Sequence, residues 1–280
     1  MCANCERFSD LSGGSFTGSI PPALGGLSAL LTLTIDSVES LEGSTIPSEL
    51  GSLSQLQELS LRGCRLGGTV PPHLGNLTSL LRLDLSANQL IGTIPSELSG
   101  LASVKAVDLS SNLLAGSLPN MAAMGSSDVV FRASNNALSG AVPAWVTSST
   151  QFFNVSLAHN QLSGVVDSFS GRVQHLDLSN NRLYGTVPAM QAASANHFQT
   201  LFLHNNGFSG HIPSMVAASI MKELCVTTGC PACVRCSRTL VVCVLCMSQN
   251  AAQQSPQRDR VCVPFIRRVH HLRSTPCVCK

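Results

Sequence analysis

The chain has 280 residues, of which 44% are apolar but only 4% aromatic and 11% charged. That balance argues against an ordinary aromatic-centred core and favours thin repeated layers of Leu, Ile and Val. A net charge of +2 says little about partners, no nucleic-acid partner is expected, and no apolar run is long enough to span a bilayer.

In chain order, residues 1–7 are short and polar, carry Cys2 and Cys5, and lack the apolar stretch of a signal peptide. Residues 8–224 follow a repeat. Its most regular copy is residues 74–95, with Leu80, Leu83, Leu85, Asn88, Leu90, Gly92, Ile94 and Pro95 at fixed offsets. Neither a 3.6-residue helix period nor a long strand alternation gives those offsets. One copy cannot bury its own leucines, so copies must stack.

The first copy, around Phe16, Gly18, Ile20 and Pro21, is degraded, with Ser9 in a leucine slot and Gly14 in the asparagine slot. The second carries two extra residues between Ile35 and Ile46, and the third puts Cys64 in the asparagine slot. The fifth to ninth copies keep Asn112, Asn136, Asn160, Asn181 and Asn206. The step from Asn160 to Asn181 is 21 residues, where earlier steps are 24. Nine copies are counted to Pro213, and residues 214–224 read as a short helix or partial last layer.

Leu83 and Leu85 flank one residue, so they point inward from a short strand and Asp84 points outward. Stacked strands make a parallel sheet. A buried amide must be hydrogen-bonded, so Asn88, Asn112, Asn136, Asn160, Asn181 and Asn206 are expected to form a ladder on backbone groups of their own turn and the next. Gly92 permits a tight bend. Pro95 stops further pairing.

These residues resemble the leucine-rich repeat family in its plant-type variant, L-x-x-L-x-L-x-x-N-x-L-x-G-x-I-P, over roughly residues 8–213. The variant is known in plant receptor kinases, receptor-like proteins and polygalacturonase inhibitors, and similar repeats occur in kinetoplastid surface antigens. The resemblance implies an α/β repeat solenoid, a right-handed curved horseshoe of about nine repeats with a parallel sheet on the concave face. It implies a non-enzymatic, cell-surface or receptor-like recognition module, outside the cell. Its partner would be a protein, peptide or glycan held on the inner face. Alternatives are an inhibitor of an extracellular polysaccharide-degrading enzyme, or the ectodomain of a receptor kinase.

The outward positions of the strands form columns. Most are small and polar, and the recurring Asp-Leu-Ser reads as a solvated face. Arg62, Arg82, Lys105 and Arg132 form a basic diagonal over the third to sixth layers. Phe153, His159, His175, Phe202 and His204 form a second group over the seventh to ninth, and exposed aromatics on a polar wall are candidate contact residues. No Ser–His–Asp triad is indicated, because Ser recurs in nearly every layer. The histidines are too widely spaced to share a metal, so no cofactor is expected. Asn76 and Asn154 begin glycosylation sequons.

Residues 225–280 differ in kind. They hold nine of the twelve cysteines and carry eight Lys or Arg against one Asp. Two readings stay open for these cysteines, disulfides in an extracellular setting and zinc held by paired CxxC, beside a segment that does not fold.

Overall fold

The computed structural model describes residues 7–14, 17–125, 127–188, 199–209, 223–225 and 241–243, the last two segments as backbone alone. Cys2, Cys5, Phe16, Ile212, Pro213 and the tail cysteines other than Cys225 and Cys243 lie outside these residues.

The leucine spacing produces very short strands. β1 (Phe8–Asp10), β2 (Thr32–Thr34), β3 (Glu58–Ser60), β4 (Arg82–Asp84) and β5 (Ala106–Asp108) each supply one rung. β7 (Val129–Arg132), β9 (Phe152–Ser156), β11 (His175–Asp177) and β13 (Thr200–Phe202) continue the stack. β15 (Glu223–Cys225) and β16 (Val241–Cys243) add two more rungs to the same parallel, eleven-stranded sheet. The sequence alone places the edge of the solenoid at residue 224, and β15 straddles that edge.

The pairings join equivalent positions: Leu33, Leu59, Leu83 and Val107 stand side by side, as do Ser60, Asp84, Asp108 and Arg132. The inward column is fully buried, from Leu33 through Leu59, Leu83, Val107, Phe131 and Val155 to Leu201. Phe131, Trp145 and Phe152 form the one large aromatic cluster among the described residues, with ring centroids 4.8–6.4 Å apart.

After each turn the chain pairs again. β6 (Ala115–Ser117), β8 (Ala137–Gly140), β10 (Gln161–Val165), β12 (Arg182–Thr186) and β14 (Gly207–Ser209) form a second parallel sheet of five strands. Pairing therefore continues past Gly92, and an isolated bridge from Thr69 to Ile91 extends it one layer further. Equivalent residues do not face each other here: Gly116 pairs with Leu138, two positions before Gly140. Gly92 has φ of +79°, and a Cβ on it would sit 3.0 Å from the Thr69 methyl of the preceding layer. Any larger residue would meet both penalties.

The conserved-looking Ile-Pro step then starts the convex side. Pro71 (φ −66°) and Pro95 (φ −65°) precede 3-10 turns at Pro72–Asn76 and Ser96–Gly100, matching turns at Pro22–Gly26 and Ser48–Ser52. A proline suits this place because its φ is preset and its missing N–H is not needed at a helix start. Among the described residues the helical component is thus mostly 3-10, with one five-residue α-helix, α1 (Ala144–Ser148). Leu98 and Leu101 close the core from this side and are fully buried.

Every layer makes its turn through a left-handed residue just before the asparagine slot. Ala87, Ser111, Asn135, His159, Asn180 and Asn205 all have φ of 55–57°, and Gly63 has 67°. For an L-residue with a Cβ this costs about 1–2 kcal/mol, and Asn and Gly bear it best. Ala87→Gly is expected to raise stability by about 0.5–1 kcal/mol despite the added freedom of the unfolded chain. Urea denaturation monitored by circular dichroism would measure it.

The asparagines behind these turns are tied in place. Asn112 Nδ2 donates to the carbonyls of Leu109 (3.1 Å), Ser110 (3.3 Å) and, one layer back, Leu85 (3.0 Å). Its Oδ1 accepts the Leu90 N–H of that preceding layer at 3.1 Å. Asn88, Asn136, Asn160, Asn181 and Asn206 repeat the pattern. The side chains therefore reach backward to the preceding layer, while the main chain reaches forward, as from Asn112 N to Asn135 O.

Candidate ligand-binding face

The outer side of the large sheet is built from residues that alternate with the buried column. One line runs Ser60, Asp84, Asp108, Arg132, Ser156, Asp177, Phe202, and another runs Glu58, Arg82, Ala106, Val130, Asn154, His175, Thr200. The recurring Asp-x-Ser has a local task. Asp84 Oδ1 accepts from the Ser86 N–H (3.1 Å) and hydroxyl (2.6 Å), and Asp177 does the same with Ser179 (3.0 and 2.6 Å). Each carboxylate closes the turn leaving its strand, and Asp84 is only 5% exposed.

The basic diagonal is compensated at Arg82 and Arg132. Arg82 lies 3.7 Å from Glu58 on one side and 3.2 Å from Asp84 on the other. Arg132 lies 3.7 Å from Asp108. Lys105 donates to the Ser127 carbonyl at 3.0 Å. Pairs this exposed contribute little stability, about 0–1 kcal/mol. Their effect is to cancel the field that a bare positive stripe would project.

The seventh to ninth layers differ. Phe153 meets His175 edge-on with centroids 5.3 Å apart, and His175 Nδ1 lies 2.9 Å from the Thr200 hydroxyl. Phe202 meets His204 at 6.2 Å. Burial pushes the His204 pKa down; the Asp177 carboxylate opposes that shift and His159 adds to it. His204 is thereby held neutral near pH 7. Side-chain amides link neighbouring layers, Gln199 to Gln174 and Asn205 to Asn180. His159 stands apart on an exposed left-handed turn rather than on the strand. The structure therefore joins Phe153 to His175 and Phe202 to His204, and leaves His159 at the rim.

A bulge here changes the place of Val129 rather than that of Phe153. Spacing alone sets Val129 beside Phe153 on the outer face. The sheet instead pairs Val129 with Phe152, buries both, and leaves Phe153 as the extra residue before Asn154 pairs with Val130. A bulge re-aims a side chain in this way.

A leucine-rich repeat model matches residues 54–114, and a second matches residues 172–190. No curated protein matches the chain significantly. Among solved structures, the Arabidopsis receptor kinase HAESA, in complex with the peptide hormone IDA and the co-receptor SERK1, is 32% identical, with a TM-score of 0.57 over 78% of this chain and 41% of that one. A TDR receptor is 26% identical, with a TM-score of 0.56 over 75% of this chain and 41% of its own. The chain is a plant-type leucine-rich repeat protein. A plant ice-binding protein is also similar, with 27% identity and a TM-score of 0.57 over 79% of this chain and 81% of that one. The chain spans about two fifths of the length of the two receptors.

In this repeat protein the second sheet is the surface that sequence reading misses. Ile91, Leu113, Val165 and Tyr184 are about half exposed on it. A shallow depression beside it is lined by Thr69, Thr93, Ile94, Pro95, Ser117 and Pro119. Leu90 and Ile94 are buried while Ile91, Gly92 and Thr93 between them are exposed, so no alternation marks this stretch in the sequence. The sequons are placed differently: Asn76 is exposed on a convex 3-10 turn, and Asn154 is half-buried on β9 between Val130 and His175.

Proposed function

We propose that this repeat protein is the non-enzymatic recognition part of a receptor-like protein acting at the cell surface, and that it binds a peptide or protein on its concave sheet. The observation that carries this reading is the change in character along that face. Carrying paired Arg and Asp or Glu side chains from the third to the sixth layer, it becomes aromatic where Phe153 meets His175 and Phe202 meets His204, with the Asp177 carboxylate beside Phe202. Aromatic side chains with a polar rim are what peptide contacts favour. Likeness to HAESA, which was solved with a peptide hormone, supports the same class of partner. Asn76, remote from this face, suits a glycan; one on Asn154 would obstruct the contact site.

A peptide-display selection against the immobilised chain tests this. Selected peptides are expected to lose roughly tenfold or more in affinity to a Phe153→Ala, Phe202→Ala double variant, about 1.4 kcal/mol, and nothing to Ile91→Ser. Peptides that bind the double variant as well as the parent would overturn the reading.

A second reading concerns the other sheet. Outward positions of β6, β8 and β10 are Ala, Ser, Gln and Val without a charge, in regular rows, and the similar plant structure is an ice-binding protein. On that reading, ice recrystallisation is inhibited by the parent and not by a Ser117→Lys, Ser139→Lys variant.

A further inference from the structure

We propose that the peptide taken up on the concave sheet presents a cationic side chain, arginine by preference, to the Asp177 carboxylate between His175 and Phe202. This deepens the concave-face reading above and rests on it. Asp84, Asp108 and Asp177 stand in one outward column of the sheet. Each uses Oδ1 in the same way, accepting the N–H of the serine two residues on: Ser86 at 3.1 Å, Ser110 at 3.0 Å and Ser179 at 3.0 Å. They differ in what meets Oδ2. At Asp84 it is the Arg82 guanidinium, 3.2 Å away, and at Asp108 that of Arg132, 3.7 Å away. Asp177 has no ion pair among the described residues.

The two places from which an arginine reaches its carboxylate are filled by rings instead. Arg82 stands two residues before Asp84 on β4, and His175 holds that place before Asp177 on β11. Arg132 is the register partner of Asp108 in the next rung, and Phe202 is that of Asp177. Residues two apart on a strand share a face, and in-register neighbours stand about 4.8 Å apart. His175 and Phe202 therefore flank the carboxylate, one along the strand and one across it. The His175 ring is steadied by Thr200 at 2.9 Å and by the edge-on contact with Phe153. His204, which feels the Asp177 charge, is held neutral by burial and supplies no cation of its own. A guanidinium suits this setting because it can fork onto a carboxylate and stack on an aromatic face at once. The sheet keeps the acid and lacks the base of a pair that it forms twice in earlier layers, and the ligand supplies the missing half.

The test uses the full chain, immobilised, and a phage-displayed library of random dodecapeptides, from which selected peptides are synthesised for titration. These peptides are expected to share an arginine or a lysine. Replacing it by a neutral isostere, citrulline or acetyl-lysine, is expected to weaken binding to the parent roughly tenfold or more. Asp177→Asn is expected to do the same, and the two changes together to cost no more than either alone. Asparagine still offers Ser179 an acceptor, so the turn is kept. Added salt is expected to weaken binding to the parent and not to Asp177→Asn. Losses that add in full would mean that the two groups do not meet. Peptides lost by the Phe153→Ala, Phe202→Ala double variant but bound by Asp177→Asn as well as by the parent would overturn this proposal and leave the concave-face reading standing, as would selected peptides with no shared basic residue. Peptides indifferent to both variants, or a selection that yields none, would overturn both.

Discussion

Replacing Asn88 by Ala is expected to destabilise the solenoid by about 4 kcal/mol, from two or more buried groups losing their partners at about 1–3 kcal/mol each. Asn88 Oδ1 accepts from the N–H groups of both Cys64 (3.1 Å) and Leu66 (3.0 Å), and Nδ2 donates to Leu61, Leu85 and Ser86. Alanine removes all five bonds and leaves a gap lined by the freed backbone groups. Asn88→Cys should lose less, because a thiol can still donate to the Leu61 carbonyl as Cys64 does to Ile35 at 2.8 Å. Equilibrium urea unfolding gives the totals. A variant as stable as the parent would mean the ladder is ornamental.

The second large effect falls on Phe131. It is fully buried, and its ring meets Trp145 at 5.4 Å and Phe152 at 6.4 Å. Phe131→Ala is expected to cost about 3–5 kcal/mol, as large-to-small changes in closed cores do. Trp145 is the only tryptophan in the chain, and its indole N–H donates to the Pro119 carbonyl at 2.9 Å. Its emission therefore reports on this cluster alone. The expected signature is a red-shifted spectrum together with a lower unfolding midpoint. Phe131→Leu, which fills more of the space, should fall between the two.

Those effects sit on the part of the molecule most legible from sequence. Leu83, Leu85 and Asn88 recur at one spacing, and one spacing repeated leaves a single way to stack them. The outward columns followed from the same register, and so did the compensating pairs had it been applied: Glu58 with Arg82, and Asp108 with Arg132, are each 24 residues apart. Three things were hidden for physical reasons. The second sheet has strands of three to five residues broken by glycine, too short for alternation to stand out. The bulge turns on Asp128-Val129: Asp128 stands in the slot three before Phe131 where most other layers have an apolar residue, and Val129 turns inward in its place, a swap that spacing does not show. The direction of the asparagine bonds, backward rather than onto the next turn, depends on where each loop enters the coil, which spacing leaves open.

Cys64 marks a seam in how the stack opens. Its thiol copies the donating half of an asparagine, but it has no oxygen to accept an N–H from the second layer. The two extra residues of that layer make this tolerable, since they fold a 3-10 turn at Glu39–Leu41 in which Leu41 and Glu42 bond to their own Val38 and Glu39 carbonyls. The second layer is consequently joined to the third by strand pairing, apolar contact and ties from Asp36 to Ser60 and the Arg62 N–H and from Arg65 to Glu39 and Glu42, without the asparagine stitch that joins the later described layers. Cooperativity in a stack runs through such neighbour couplings. The amides of the first two layers are expected to exchange before those from Leu59 onward, which residue-resolved hydrogen exchange would check. Among the described layers, the earliest opening is then expected at the end far from Phe202 and His204, the candidate contact residues.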